Sequence, residues 1–171
     1  MSGRGGLYAG EIECLASRLL EEVRWLGVFA RDELPNLTRE SRPWRLILNT
    51  DPKALPGTHW LALYGPSGGR IELFDSFSLP PINYNLDSLD SLHLSFSLQS
   101  PSSSVCGDYC LVYIYLRSHS YSLSDIVYLF SKISDRDSYV QRYIHNIQNE
   151  LRILNPCHCT GQCCKLQCQF C

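Results

Sequence analysis

The chain has no dominant charge, no long basic run and no long apolar run, and each absence removes a class of function. Fifteen Lys and Arg against seventeen Asp and Glu leave a formal net charge of −2. General nucleic-acid binding, which relies on clustered cations facing phosphates, has no support here. No stretch approaches the roughly 18 uncharged apolar residues that a bilayer-spanning helix needs. The start, MSGRGG, lacks the apolar core of a secretory signal, so the expected setting is a reducing, intracellular one. The nine cysteines are an odd number and read first as thiols, not as a disulfide framework. None of them lies between Cys14 and Cys106.

What is present suffices for one compact domain. At 171 residues and 44% hydrophobic composition, the chain can bury a core without metal or disulfide support. Ile12, Leu15, Leu19, Val23 and Leu26 recur at helical spacing and predict an amphipathic helix from Glu11 to Leu26. WRLILN (44–49) reads as a buried strand, and LHLSFSLQ (92–99) alternates like a half-exposed one. PPINYNLDSLDS is a loop with a short helical turn. Ser122 with Asp125 marks a helix start for the segment to Phe130. A last helix from about Asp135 to Leu151 stacks Val140, Ile144, Ile147 and Leu151, and Pro156 ends it. The expected fold is α+β, a mixed or antiparallel sheet packed against helices. Its organisation is a flexible N-terminus (1–10), one domain (11–155) and a Cys-rich tail (156–171).

Four residues stand out in chain order: His59, Asp75, Gln99 and Cys106. GTHWLALY (57–64) and RIELFDSF (70–77), separated by GPSGG, read as a hairpin. A turn pivoting about Ser67 pairs residues whose numbers sum to 134, which sets Leu61 opposite Leu73 and His59 opposite Asp75. Direct partners lie about 4.5 to 5.5 Å apart at Cβ on one face. The carboxylate would then take the Nδ1 proton of His59 and leave Nε2 to act on a nucleophile. A slip of one residue would put the two side chains on opposite faces. Downstream, SLQSPSSSVCGDYCLVYIYL (97–116) runs from a polar loop into an apolar stretch. Cys106 is read as the first turn of a buried helix, where the dipole favours a thiolate. The amide at that helix start and the Gln99 carboxamide are donors for an oxyanion, and Gly107 removes bulk beside the attacked carbonyl. Singly, each residue has an ordinary reading: a core or surface histidine, a strand-ending Asp, a buried cysteine acting as a small hydrophobe, while Gln99 alone carries no signal. The weight comes from their order and local settings together. His93, His119 and His145 lack such a context.

GTHWLALY, IELFDSF and LQSPSSSVCGDYC resemble the adenain family, the adenovirus-type cysteine endopeptidases related in fold to the SUMO-specific proteases. LGVFARDELP (26–35) and WRLILNTD (44–51) resemble segments ahead of that family's His, so the likeness covers about residues 11 to 150. It implies a papain-like or adenain-like fold, with His59 as base, Asp75 as its orienting carboxylate, Gln99 as oxyanion donor and Cys106 as nucleophile. It also implies cleavage of polypeptides, capsid and core precursors of a DNA virus or virus-like element, during virion maturation. The expected location is host cytoplasm or nucleus and the virion. Sites of the form large apolar, any, Gly, any, Gly are the implied targets. Met1-Ser2-Gly3-Arg4-Gly5 has that form, which makes self-cleavage after Arg4 an expectation. Trp60 and the loop from Asp32 to Arg42 are candidates for narrowing the substrate groove, with Trp60 and Gly107 as substrate-binding residues; Trp60 reads equally as plain core. The chemistry requires no cofactor. A peptide activator is a family trait, yet the disulfide that joins it upstream of the Gln has no matching thiol here. DNA as a partner rests on the resemblance alone. Removal of a ubiquitin-like modifier, or a non-catalytic interaction protein with a metal-binding tail, are the alternatives.

The tail, CHCTGQCCKLQCQFC (157–171), holds six cysteines and His158. Cys157, Cys159, Cys163, Cys164, Cys168 and Cys171 are candidate zinc ligands, although their spacing matches no standard finger. S-acylation, which would bring the tail to a membrane, and a plain thiol-rich tail are the competing readings. Metal content with and without residues 157–171 separates them. Cys110, one turn after Cys106, reads as buried packing, and an oxidised Cys106–Cys110 pair would silence a thiol enzyme.

Overall fold

The computed structural model describes residues 6–20, 24–37, 42–55, 57–93 and 96–154. It is α+β, a five-stranded mixed sheet in the order β1-β2-β3-β4-β5 with four helices. The strands are β1 (Trp25–Ala30), β2 (Trp44–Asn49), β3 (Trp60–Gly65), β4 (Ile71–Phe74) and β5 (Ser91–His93). The helices are α1 (Ala9–Leu19), α2 (Cys106–Ser118), α3 (Leu123–Ser131) and α4 (Arg136–Leu154). The outer pairs β1/β2 and β4/β5 are parallel, and the central pairs β2/β3 and β3/β4 are antiparallel.

Alternation along the strands divides two cores between the faces of the sheet. Ile47, Ala62 and Phe74 point to the helical face, where they join Ile12, Tyr109, Val112, Tyr113, Ile126, Phe130, Val140 and Ile144. Trp44, Leu46, Leu48, Leu61, Leu63 and Leu73 point the other way, onto Tyr84 and Leu86 of the segment after β4. Helix α2 is buried on nearly all sides, lying on β3 with the other three helices around it. That all-round burial matches its all-round apolar sequence. Tyr113 stacks on Phe74 at 4.4 Å and donates to Glu72 Oε2 at 2.6 Å. Arg117 donates to Glu72 Oε1 at 2.9 Å, so α2 is bolted to β4 by polar as well as apolar contacts. Ser122 caps α3 in a reciprocal box with Asp125, as its sequence predicts.

Three expectations are corrected. The first helix ends at Leu19, not Leu26, and Trp25–Ala30 is an edge strand. Glu13 of α1 accepts from Trp25 Nε1 and Val28 N at 2.8 and 2.9 Å. Gly27, at φ +125°, sits where the β1/β2 register slips, a bulge that a helix could not accommodate. The β3/β4 register pairs Ala62 with Phe74, Leu63 with Leu73 and Tyr64 with Glu72, so partners sum to 136 and not 134. The strand runs on into Gly65, where a side chain would overlap the Trp44 indole, and the connection becomes Pro66 to Arg70. Among the described residues, the predicted strand 92–99 is strand at Ser91–His93 and not at 96–99. Leu98 N and Gln99 N both donate to Ser76 O, at 2.8 and 3.0 Å, and two successive amides sharing one acceptor bend the chain out of any ladder. At the start of the chain, Leu7 is buried and α1 begins at Ala9. The proposed cut after Arg4 and the ligands of the tail lie outside the described residues.

Candidate active site

His59, Asp75 and Cys106 stand at one end of the interior strands, at the entry to β3, the exit of β4 and the first residue of α2. The β2/β3 ladder continues one step past β3, with Thr50 N donating to His59 O at 3.0 Å. Gly57, at φ +85°, leads into it, and a Cβ there would run into the Asn49 carboxamide. The backbone of His59 is therefore held before any side chain is considered.

His59 Nε2 and Asp75 Oδ1 are 2.7 Å apart, with side chains 10% and 2% exposed. This reverses the expected nitrogen: Nε2 faces the carboxylate, while Nδ1 is buried with no hydrogen-bond partner among protein atoms. The register explains the geometry. Continued to the strand ends, the 136 pairing sets His59 across from Phe77, and their rings lie 4.9 Å apart. Asp75 is then the diagonal neighbour, on the same face because the slip is two residues and not one.

Asp75 is saturated. Besides His59, Oδ1 accepts from Phe77 N at 2.8 Å, and Oδ2 accepts from Leu79 N at 2.9 Å and Tyr84 Oη at 2.7 Å. Burial pushes its carboxyl up, but the bonds and charge of His59, then Tyr84 and Phe77, hold it below the ordinary value. Burial likewise presses His59 toward the neutral form. Burial is the largest single influence, but the bond and charge of Asp75 and those of Cys106 together outweigh it, and the imidazole is raised to about 9. At neutral pH the ring carries a proton. Tyr84 is pushed well up by burial and by Asp75, so its hydroxyl stays a donor. Sequence reasoning missed Tyr84. It belongs to a 3-10 turn, Pro81–Tyr84, and nothing in its surroundings marks it as a partner of Asp75.

Gln99 is 3% exposed. Its Oε1 accepts from Ser76 Oγ at 2.6 Å and its Nε2 donates to Ser103 O at 2.9 Å. One N–H of the carboxamide remains for another acceptor. A cleft of about 500 Å³ is lined by His59, Gln99 and Cys106 together, so all four predicted residues converge, three on the cleft and Asp75 behind His59. Trp60 also lines it, alongside Val28 to Ala30 and Glu33. The indole Nε1 donates to Leu7 O at 3.1 Å, which draws Gly6 to Ala9 into the wall. Lys53 pairs with Glu33 on the far side. Gly107 is not on the cleft. It packs under Leu7, Ile12 and Trp60, each within 3.4 Å of where its Cβ would be.

Among the described residues no cluster of His, Cys, Asp or Glu could hold a metal, and no helix is long and apolar enough to cross a membrane. Cys106 and Cys110 are free. Cys110 donates to Trp60 O at 3.3 Å, and burial holds its thiol well above the ordinary value. The chain matches no family model and no curated protein.

Proposed function

We propose that the chain is a cysteine endopeptidase of the papain-like, adenain-like kind. The observation that carries the reading is a buried His59–Asp75 pair sharing one cleft with a cysteine at a helix start and an anchored glutamine. An imidazole that stays protonated at neutral pH is the partner a thiolate nucleophile requires. In this reading the Cys106 sulfur attacks the carbonyl carbon of a peptide. The first amide of α2, which has no intrahelical acceptor, and the remaining Gln99 N–H receive the oxyanion. The carbon–nitrogen bond breaks as His59 gives its proton to the departing amine, leaving a thioester. Water then adds to the thioester with His59 as base, releasing the acid and restoring the thiolate. Asp75 never takes the proton. Held by four donors, it keeps the ring oriented and supports the imidazolium.

Substrates are polypeptides cut at Gly-containing sites, and precursor maturation in a DNA virus or virus-like element, within host cells and the virion, is the biological role. Both rest on the resemblance of the quoted motifs. The test is labelling by a peptide vinyl sulfone under reducing conditions, followed by a library of Gly-containing peptides. Labelling at Cys106 that disappears in His59→Ala, with cuts inside the peptides, supports the endopeptidase. Cleavage confined to the C-terminal Gly-Gly of a ubiquitin-like modifier would move the reading to deconjugation. No labelling would leave a non-catalytic interaction protein.

A further inference from the structure

The turn after β4 fixes two halves of the site at once. Asp75 orients His59, and the next residue, Ser76, is fully buried and directs its bonds to a single place. Its carbonyl takes both Leu98 N and Gln99 N, and its hydroxyl donates to Gln99 Oε1 at 2.6 Å. Alanine would fill the same space with no polar atom to satisfy, so packing alone does not call for a hydroxyl here. The bond has a chemical consequence. A carboxamide has one accepting and one donating end. With Oε1 taken by Ser76 and Nε2 set on Ser103 O, only one orientation satisfies both neighbours. A flipped amide would set two carbonyl oxygens against each other at Ser103.

We propose that Ser76 is a positioning residue for the oxyanion-binding amide. It acts through Gln99 and never touches substrate. The inference rests on the peptidase reading and adds to it a residue that couples the turn carrying Asp75 to the loop carrying Gln99. Charge develops on the substrate oxygen only as the thiolate adds, and a donor helps most when it is already aimed there. Without the Ser76 hydroxyl the amide keeps one of its two anchors and can swivel.

The experiment compares wild type, Ser76→Ala, Gln99→Ala and the double variant in steady-state hydrolysis of one Gly-containing peptide. Iodoacetamide alkylation of Cys106 is measured in parallel, because alkylation forms no oxyanion. Removing one such donor costs about 100- to 1000-fold in kcat. Gln99→Ala is expected in that range, and Ser76→Ala at about 10- to 100-fold with KM within about twofold. The alkylation rate should be unchanged, and the double variant should be no slower than Gln99→Ala within about threefold. Ser76→Cys, close in size with a weak donor, should lower kcat in the same direction and covers the case in which Ser76→Ala does not fold. Losses that multiply in the double variant, alkylation that falls as far as kcat, or wild-type kcat in both Ser76 variants would each overturn the proposal. A wild type that cleaves no peptide overturns the peptidase reading itself and the Ser76 role with it, whereas an active wild type with any of those three outcomes overturns Ser76 alone.

Discussion

Replacing Asp75 with Asn tests whether the buried pair governs the protonation of His59. The rise of the imidazole from 6.5 to about 9 corresponds to about 3 kcal/mol of preference for the protonated ring. It is achieved against burial, and the bond to Asp75 is its leading support. In the variant the carboxylate charge is gone and a neutral carboxamide oxygen with Cys106 opposes burial, so the ring should titrate well below 9, toward the ordinary value of about 6.5. Imidazole resonances followed by NMR from pH 5 to 10 report this directly. The same linkage predicts stability. A raised histidine stabilises the fold fully below its unfolded value near 6.5 and loses that contribution as pH climbs through about 9. Asp75, held low, contributes above its unfolded value near 3.9 and loses its share as pH falls through its folded value. Both contributions coexist between about pH 4 and 6.5. The urea-unfolding difference between wild type and Asp75→Asn should therefore be largest near pH 6 and shrink, by up to about 3 kcal/mol, toward pH 10. A ring still titrating near 9 in the variant, or near 6.5 in the wild type, would refute the reasoning.

Tyr84→Phe removes one donor of the four around a buried carboxylate and should cost about 1.5 to 3 kcal/mol, read as a fall of several degrees in thermal melting. An unchanged midpoint would mean that water replaces the hydroxyl. Gly57→Ala imposes a side chain at φ +85° against Asn49; a loss of about 1 to 3 kcal/mol in urea is expected, together with slower labelling of Cys106 because His59 lies two residues on. Leu61→Ala, at a fully buried position on the loop-covered face, should cost about 2 to 5 kcal/mol, and a loss well below that would show that this second core is loosely packed.

The sequence carried the local settings of the site because each depends on neighbours in the chain. Cys106 starts α2 since a Ser-rich loop gives way there to continuous apolar residues, and Ser122 and Asp125 form their cap within one turn. Pairings between distant segments were less accessible. The parallel edge strand Trp25–Ala30 depends on Glu13 and β2, while Val23 and Leu26 continue the helical spacing of Ile12, Leu15 and Leu19 and so hide where the helix stops. Tyr84 and Ser76 reach Asp75 and Gln99 across loops, and loops carry no periodicity from which such contacts can be read. The hairpin register is the instructive case. Inspection of GPSGG fixes the turn only to within a residue or two, yet side-chain direction in a strand depends on parity alone. A slip of two residues changes the partner of His59 from Asp75 to Phe77 while keeping all three side chains on one face. The aromatic ring then packs beside the imidazole, tilted by 31°, and the carboxylate approaches diagonally, where Phe77 N, Leu79 N and Tyr84 can also reach it. Directly opposite His59, the carboxylate would lie within the ladder, where neighbouring amides are committed to strand pairing. The turn beyond the strand leaves those amides free to hold it.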